Sequence, residues 1–502
     1  MGGETRLQGS NAQLGLEFEA VRAGAASRGE GREEERFLSG AEGDFYLGAQ
    51  RLDQYLCANQ QGWVVRLRAL LQELDWSQFT SRYQERGRRP LHPRVLLGLV
   101  LYGIMRGEWS LRNLERLALV DLGAWWITGR LQPDHSTIGK FIQLHAQLLS
   151  EGFCQELVKY LVGKLQVSAG TVAVDGTVID AVASRYRLLR AEALQEQGVE
   201  RAAERILAQR SAERAFRGRD GGATRLAAGE PEAMVQVTKQ GVSRASYKPS
   251  AMRHESGLVV AQTVHPSSET AVVLELVAQH AVVFQLDPPR LLGDAGYSSI
   301  EVLRELSARD IDVLIAPGTR AHPMQPHSAG GRLLKSEFCY DPVQDLYRCP
   351  AQRTLLRDHR GYDGRRSYVQ YRGRHCTNCE LRVRCTSAAA GRTLKRYTGE
   401  AYKEAMAQVL RQPAALRQWR RRAGIIEPLF AALRERQRLT RFHRRGLGKV
   451  KLEFALHCAA FNLRQVVAGR HFLLCLTLFA RRPPAPWSLT ACVWVLLSLP
   501  PR

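Results

Sequence analysis

The stretch TVAVDGTVI, residues 171–179, decides the fold, because its β-prone apolar residues form a strand pattern that includes one carboxylate, Asp175. An ionisable side chain in a buried strand is costly unless it has a partner or a chemical role. A second strand is predicted at 257–264, with 246–248 as its hairpin partner. Further along, strands at 290–293 and 311–315 alternate with helices at 269–281 and 300–308. This order predicts an α/β domain with a mixed sheet.

The segment before this strand is helical in pattern. Apolar residues repeat at helix spacing after Pro93, and Ser110 and the PDHST stretch at 133–137 supply helix starts. We therefore expect an all-helical N-terminal domain over 45–168. Residues 1–44 are polar and Gly-rich and are expected to be a disordered leader.

The remaining boundaries follow from composition. The α/β domain is expected over 169–316 and 399–465, with a polar helical insertion at 183–245 whose helical run extends over 188–217. A cysteine-containing insertion is expected at 317–398 and an apolar tail at 466–502. The two apolar stretches of the tail are each shorter than the ~20 residues that span a bilayer, so no membrane contact is expected. A re-entrant membrane hairpin is the alternative.

The charge points to a polyanionic partner. The chain has 72 Lys and Arg against 49 Asp and Glu, a net charge of +23. Residues 417–451 alone contain twelve Lys and Arg and two acids, Glu427 and Glu435. Such a patch favours nucleic acid, although a solvated charged face is the alternative. Because the N-terminus shows no secretory signal, we expect a cytoplasmic protein.

Three carboxylates stand where chemistry could need them. Asp175 lies within the first strand, Asp294 follows the 290–293 strand, and Glu427 lies in the basic segment. Carboxylates that meet at one sheet edge repel one another unless hard cations lie between them. Taken singly, Asp294 could cap a turn, Glu427 could be a solvated helix acid, and Pro428 could mark a helix start or a kink.

Several short motifs share a family resemblance. They are PDHSTI at 133–138 with Phe141, VDGT at 174–177, Tyr247-Lys248 and GLV at 257–259, DAGYS at 294–298, IEPLF at 426–430, and RGLGKV at 445–450 with Glu453 and Asn462-Leu463. In this order they resemble a bacterial insertion-sequence transposase of the DDE type, over roughly residues 50–465. The resemblance implies a ribonuclease H-like mixed sheet core, here with the N-terminal all-helical domain and two insertions. It also implies that the helical domain serves DNA-end binding or dimer contacts.

The resemblance also implies a chemistry. Asp175, Asp294 and Glu427 would be the catalytic triad that binds Mg²⁺ or Mn²⁺. Water would cut double-stranded DNA at the element ends, and the freed 3′-hydroxyl would attack target DNA, within a homodimer or a higher synaptic assembly associated with the nucleoid. The alternatives are a metal-dependent nuclease without strand transfer and an inactive or domesticated DNA-binding protein.

The late helix departs from the family pattern. In related transposases a Tyr and an Arg precede the Glu and a Lys follows it by seven residues. Strict spacing falls here on Arg420 and Ala423, with Trp419 and Arg422 one residue off, and Arg434 replaces the Lys. The residues predicted to contact DNA are Arg420, Arg434, Arg441, Arg445 and Lys449.

Four cysteines of the second insertion are candidate zinc ligands: Cys349, Cys376, Cys379 and Cys385. Four thiolates can close one structural zinc site, as in a zinc ribbon, and Cys339 or His375 could substitute for one of them. Because only one CxxC pair is present, reduced cysteines without metal are the alternative.

Overall fold

The computed structural model describes most of the chain between residues 36 and 469. The described residues are 36–41, 45–84, 87–184, 188–190, 225–227, 229–237, 243–268, 270–316, 333–364 and 366–469.

The N-terminal region is helical, as predicted. Its main helices are α1 Leu52–Ala58, α2 Gly62–Glu73, α3 Pro93–Arg106, α4 Leu111–Val120, α5 Leu122–Thr128, α6 His135–Leu144 and α7 Phe153–Lys164. The predicted start signals are used: Ser110 caps α4 through the backbone N–H of Asn113, and Asp134 caps α6 through the N–H of Thr137. A short helix, Ser77–Thr80, and a two-residue hairpin, Tyr46–Leu47 with Gln50–Arg51, complete the region.

The central sheet follows the predicted element order. Its strands and helices are β1 Thr171–Gly176, β2 Ser243–His254, β3 Val259–His265, α8 Val273–Phe284, β4 Arg290–Gly293, α9 Ile300–Ala308 and β5 Asp312–Ile315. β2 pairs antiparallel with β1 and, on its other side, with β3, whereas β4 lies parallel to both β1 and β5. The resulting order β3-β2-β1-β4-β5 is a ribonuclease H-like core, as predicted.

The sheet is buried on both faces, with two distinct hydrophobic layers. Val172 and Val174 of β1 pack with the N-terminal helices, while Ala173 faces the other layer. The helical region therefore shares one core with the sheet. This arrangement differs from the separate helical domain that the sequence suggested. The helix at 447–467, described below, packs against the apolar side of α3 and α7 and belongs to the same core as the sheet.

Part of the predicted leader is packed. Phe37 is 1% exposed and lies edge-on to Tyr83, and Leu38 pairs with Leu91. Residues 36–41 are therefore not a disordered part of the leader, because Phe37 fills a position in the core. The rest of the leader, 1–35 and 42–44, lies outside the described residues.

The first insertion contains strands where a helix was expected. Leu188–Arg190 pairs with Arg225–Ala227, and Met234–Val237 adds to the central sheet beside β2. The predicted helical run from 188 is therefore wrong at its first three residues, where cross-strand pairing overrides local helix propensity. Residues 191–224 lie outside the described part of the chain.

The second insertion forms its own antiparallel sheet. Its strands are β6 Cys339–Asp341, β7 Leu346–Arg348, β8 Thr354–Tyr362, β9 Ser367–Gly373 and β10 Thr393–Tyr397. The chain then continues through α10 Glu400–Val409, α11 Pro413–Ala431 and α12 Leu447–Val467. Within the described residues, none of the helices combines the length and apolar character that a bilayer span requires. The tail from 470 onward lies outside them.

Candidate active site

Two of the predicted carboxylates lie at matching positions of neighbouring strands. Leu292 of β4 pairs with Ala173 of β1, and each strand reaches its aspartate, Asp294 or Asp175, two residues later. Because β1 and β4 are parallel, both aspartates lie at the same edge of the sheet. The oxygens are already hydrogen-bonded: Asp175 accepts from the Gly176 N–H at 2.8 Å, and Asp294 accepts from the Gly296 N–H at 2.8 Å.

A buried tyrosine ties the two strand ends together. Asp294 caps the short turn Ala295–Tyr297, which turns the Tyr297 side chain inward. Its hydroxyl lies 3.4 Å from the Ser250 hydroxyl of β2. A Cβ on Gly176 would come within 2.9 Å of both hydroxyls, so glycine is needed after Asp175. The Asp-Gly and Asp-Ala-Gly-Tyr motifs thus pack against each other.

Helix α11 crosses this edge and contacts both strand ends. It begins at Pro413, as the sequence predicted, and packs against β1, β2, β4 and β5. Arg422 donates to the Asp175 carboxylate at 2.7 Å, and the Trp419 indole N–H donates to the Gly293 carbonyl at 2.9 Å. The two residues that stand one position off the family spacing are therefore those that touch the strand ends.

Along the helical segment, Glu427 lies between Arg422, which contacts Asp175, and Arg434, which contacts Thr177. Its side chain is exposed, while its neighbour Ile426 is fully buried. Farther along, the Arg434 guanidinium donates to the Thr177 hydroxyl, two residues after Asp175. Within the described part of the chain, no three His, Cys, Asp or Glu side chains are grouped so as to hold a metal ion. Glu427 thus lies on the helix that contacts both strand ends, but the three carboxylates do not form a metal-binding group in the described residues.

One arginine that holds α11 in place did not stand out in the sequence. Arg253 in β2 is 5% exposed and donates to the Gly257 carbonyl at 2.8 Å and to the Ile425 carbonyl of α11. Burial lowers the pKa of Arg253 to about 10. The strand also contains Arg244 and Lys248, so the residue type of Arg253 alone gave no signal of its burial.

The cations predicted to bind DNA fall into two groups. Arg434 contacts Thr177, and Arg441 donates to the Ala181 carbonyl at 3.0 Å, so both guanidiniums have partners within the chain. The side chains of Arg420, Arg445 and Lys449 are exposed. DNA contact by each of the five remains a prediction.

The four candidate zinc ligands line one small cavity, although within the described residues they are not grouped closely enough to hold a metal ion as they stand. Cys349, Cys376, Cys379 and Cys385 line it together with His375, whereas Cys339 is exposed elsewhere on β6. Burial raises the pKa of the Cys385 thiol, and the three neighbouring thiols raise it further. The Cys349 sulfur accepts from the Arg353 N–H at 3.3 Å. The described cysteines are free thiols.

Family comparisons agree with this architecture. The architecture is a ribonuclease H-like sheet with two aspartates at one strand edge and a basic helix across it. Residues 50–144 match the family "Transposase domain (DUF772)", and residues 348–467 match the family "Transposase DDE domain". Together the two matches indicate an insertion-sequence DDE transposase, with DNA as its substrate. No curated protein matches the sequence. Asp175 and Asp294 lie outside both matched segments, whereas Glu427 lies inside the second.

Proposed function

We propose that this transposase cuts DNA at the ends of an insertion sequence and joins the freed 3′-hydroxyl to target DNA. The observation that supports this most is the placement of Asp175 and Asp294 at matching ends of paired parallel strands. The helix across that edge carries Glu427 and forms contacts with both strand ends. A site of this kind can hold a phosphodiester between carboxylates and cations.

The donor set fits hard divalent cations. Mg²⁺ and Mn²⁺ prefer a few carboxylates together with phosphate oxygens. Asp175, Asp294 and Glu427 would hold the ions, which when bound activate a water or hydroxyl and stabilise the leaving oxygen. In the protein itself, Arg422 balances the charge of Asp175, and Trp419 keeps α11 against the end of β4.

The proposed reaction has two steps at one centre. A water oxygen bonds to phosphorus as the bond to the 3′ oxygen breaks, which leaves a 3′-hydroxyl and a 5′-phosphate. The 3′-hydroxyl oxygen then attacks a phosphorus of target DNA, loses its proton, and displaces a 3′ oxygen there. No covalent bond to the protein forms in either step. Arg420, Arg434, Arg441, Arg445 and Lys449 are proposed to bind the phosphates that flank the bond.

The proposal also concerns assembly. Because both ends of an element take part in one transposition event, we propose that the chain works as a homodimer or a higher synaptic assembly on duplex DNA. Analytical ultracentrifugation of the protein with and without end fragments would show whether two chains combine with two ends.

The decisive experiment substitutes one strand-end carboxylate. Asp175→Asn is expected to bind end-containing DNA as well as the wild type or more tightly, because it removes a negative charge. Its rate of cleavage should fall at least 100-fold on a supercoiled plasmid that carries the DNA sequences on either side of the gene. Asp312→Asn is the matched control, since Asp312 lies at the opposite end of β5 and pairs with Arg290. Its cleavage should stay within twofold.

The same assay separates the alternatives. Cleavage by Asp175→Asn at the wild-type rate would refute the triad. If the wild-type protein cleaves DNA but does not join the cut ends to a second plasmid, the protein is a nuclease without strand transfer. Binding without any cleavage by the wild type would identify an inactive DNA-binding protein.

A further inference from the structure

We propose that one face of the five-stranded sheet binds duplex DNA next to the strand-end carboxylates. We call it the outer face. Cross-strand pairing places on this face the side chains of His359, Tyr368, Gln370, Arg372, Lys395 and Tyr397. The opposite face carries Leu355, Tyr371 and Leu394, which form the small core of this sheet.

The outer face presents cations on aromatic supports. The Lys395 ammonium lies 4.2 Å from the centre of the Tyr368 ring, and the Arg366 guanidinium lies 4.8 Å from the centre of the Tyr397 ring. Such contacts hold a long cationic side chain in place at little cost in hydration. Arg372 is paired with Asp358 at 2.9 Å, so Lys395 and Arg366 are the principal cations available to a ligand.

The charge of the whole segment is complementary to a polyanion. Residues 333–398 contain 14 Lys and Arg against 6 Asp and Glu. A sheet domain needs no such excess for its own stability, because like charges at close range repel. Counterion release from a nucleic acid backbone is the interaction that this excess favours.

The sheet is anchored beside the candidate active site. β5 is parallel to β4 and β1, so its carboxyl end, where the insertion begins, lies at the edge that carries Asp175 and Asp294. The chain returns through Gly399 to α10, which packs on α9. Gly399 has φ +81°, and a Cβ there would lie 2.5 Å from the Ile300 side chain at the start of α9. The sheet is therefore joined through Gly399 and α10 to α9, which begins six residues after Asp294, and the proposal is that a duplex at the carboxylates continues onto the outer face.

The geometry favours a duplex over a single strand. Single-strand binders stack unpaired bases on free aromatic rings. Here Lys395 and Arg366 cover the faces of Tyr368 and Tyr397. The exposed Lys395 and the partly exposed Arg366 can neutralise backbone phosphates, and each lies over a ring on which a base would otherwise stack.

The test compares two double variants of the full chain. Arg366→Gln with Lys395→Gln removes two charges from the outer face. Arg290→Gln with Arg309→Gln removes two partly exposed charges at the opposite end of the central sheet, where Arg290 pairs with Asp312 and Arg309 with Glu305. Binding to a 40-base-pair duplex of arbitrary sequence is measured by fluorescence anisotropy between ~50 and ~200 mM salt. Circular dichroism checks that all variants are folded.

We expect the outer-face variant to lower the slope of log K against log salt by about two units and to bind about tenfold more weakly. The control variant should change the slope by less than about half a unit. Equal slopes in the two variants, or tighter wild-type binding to a single strand of the same length, would refute the proposal.

This inference rests on the proposed function, but the two fail separately. Unchanged cleavage by Asp175→Asn together with a reduced slope in the outer-face variant would refute the catalytic proposal and support the DNA surface. Lost cleavage in Asp175→Asn together with an unchanged slope would do the reverse.

Discussion

At the scale of single residues, the ion pair between Arg422 and Asp175 joins positions 247 apart in sequence. Both side chains are about four-fifths buried, at 17% and 21% exposure. A carboxylate in such surroundings needs a compensating partner. Arg422 therefore has a positioning role: it balances Asp175 and fixes the helix that carries Glu427.

Replacing Arg422 by Met should expose this role. We expect the free energy of unfolding to fall by about 1–3 kcal/mol, because Asp175 keeps its charge and loses its partner. Cleavage of end-containing plasmid should fall by at least tenfold, because α11 loses a contact at the site. Urea unfolding and the plasmid assay measure the two effects.

Arg421→Met is the matched control for this variant. Adjacent helical residues point in different directions, and Arg421 pairs on the surface with Glu255 at 2.8 Å. An exposed pair of this kind contributes at most about 1 kcal/mol. Equal losses of cleavage in the two variants would show that general charge, and not the contact with Asp175, matters here.

At the scale of elements, α11 runs through Pro428, where a helix start was one of the two sequence-based alternatives. Pro428 lies inside the helix, and the chain passes directly into a wider π-helical turn at Ala432–Arg436. Proline lacks an N–H and crowds the carbonyl of the residue four positions earlier. That residue is Gly424, whose open side leaves room for adjustment. Burial of Ile426, Leu429 and Phe430 then holds the helix against the sheet.

The five-stranded sheet has a core of only a few residues. Its buried apolar members are Leu333, Phe338, Tyr347, Leu355, Tyr371 and Leu394. So small a core contributes little stability, and natural domains of this kind use a disulfide or a metal in addition. The cavity lined by four cysteines lies at one end of this core. We therefore propose that these thiols bind structural zinc.

The zinc proposal predicts about one zinc per chain in purified protein, since four thiolates close one tetrahedral site. Cys376→Ser should lose the metal and lower the thermal midpoint by several degrees. Cys339→Ser should retain both, because Cys339 does not line the cavity. Plasma emission spectrometry measures the metal. Zinc-free protein with all four thiols open to titration would contradict the proposal.

At the scale of the whole molecule, the helical region, the sheet and α12 form one continuous core. The buried histidines of the described residues include His145, His280 and His457. Burial lowers the pKa of His145 and of His280 to about 4, and that of His457 to about 3. In the unfolded chain each would titrate near 6.5. Above about pH 6.5 these histidines are mostly neutral in both the folded and the unfolded chain, so they do not reduce the free energy of unfolding. As the pH falls from there toward the folded-state pKa values, the unfolded chain binds protons first and the free energy of unfolding decreases.

This linkage predicts acid sensitivity. Between pH 7 and pH 5, each of the three histidines should lower the free energy of unfolding by about 2 kcal/mol. His145→Phe, which places another aromatic ring beside Phe79 and Phe141, should lose about 2 kcal/mol less than the wild type over this range. The measurement is urea unfolding at both pH values.

His135→Phe is the control, because His135 is exposed and pairs with Glu115 on the surface. Its acid sensitivity should match that of the wild type. A His145→Phe variant as acid-sensitive as the wild type would show that other groups control the pH dependence.

The sequence by itself determined the features that are encoded within a few residues. The strand of Asp175, the helix after Pro93, the caps at Ser110 and Asp134 and the order of strands and helices were all predicted, because apolar period and capping are local. The charge excess and the motifs around the three carboxylates likewise indicated a DNA transposase.

Only the tertiary structure decided which residues meet across the chain. The contacts of Trp419 and Arg422 with the strand ends, the strands in place of the predicted helix at 188, and the burial of Phe37 depend on partners tens to hundreds of residues away. The convergence of Cys349 with the three later cysteines has the same origin. A short segment often has several local conformations of similar energy, and its pairing with a distant segment decides which one it adopts. The sequence pattern of the short segment alone does not identify that distant partner.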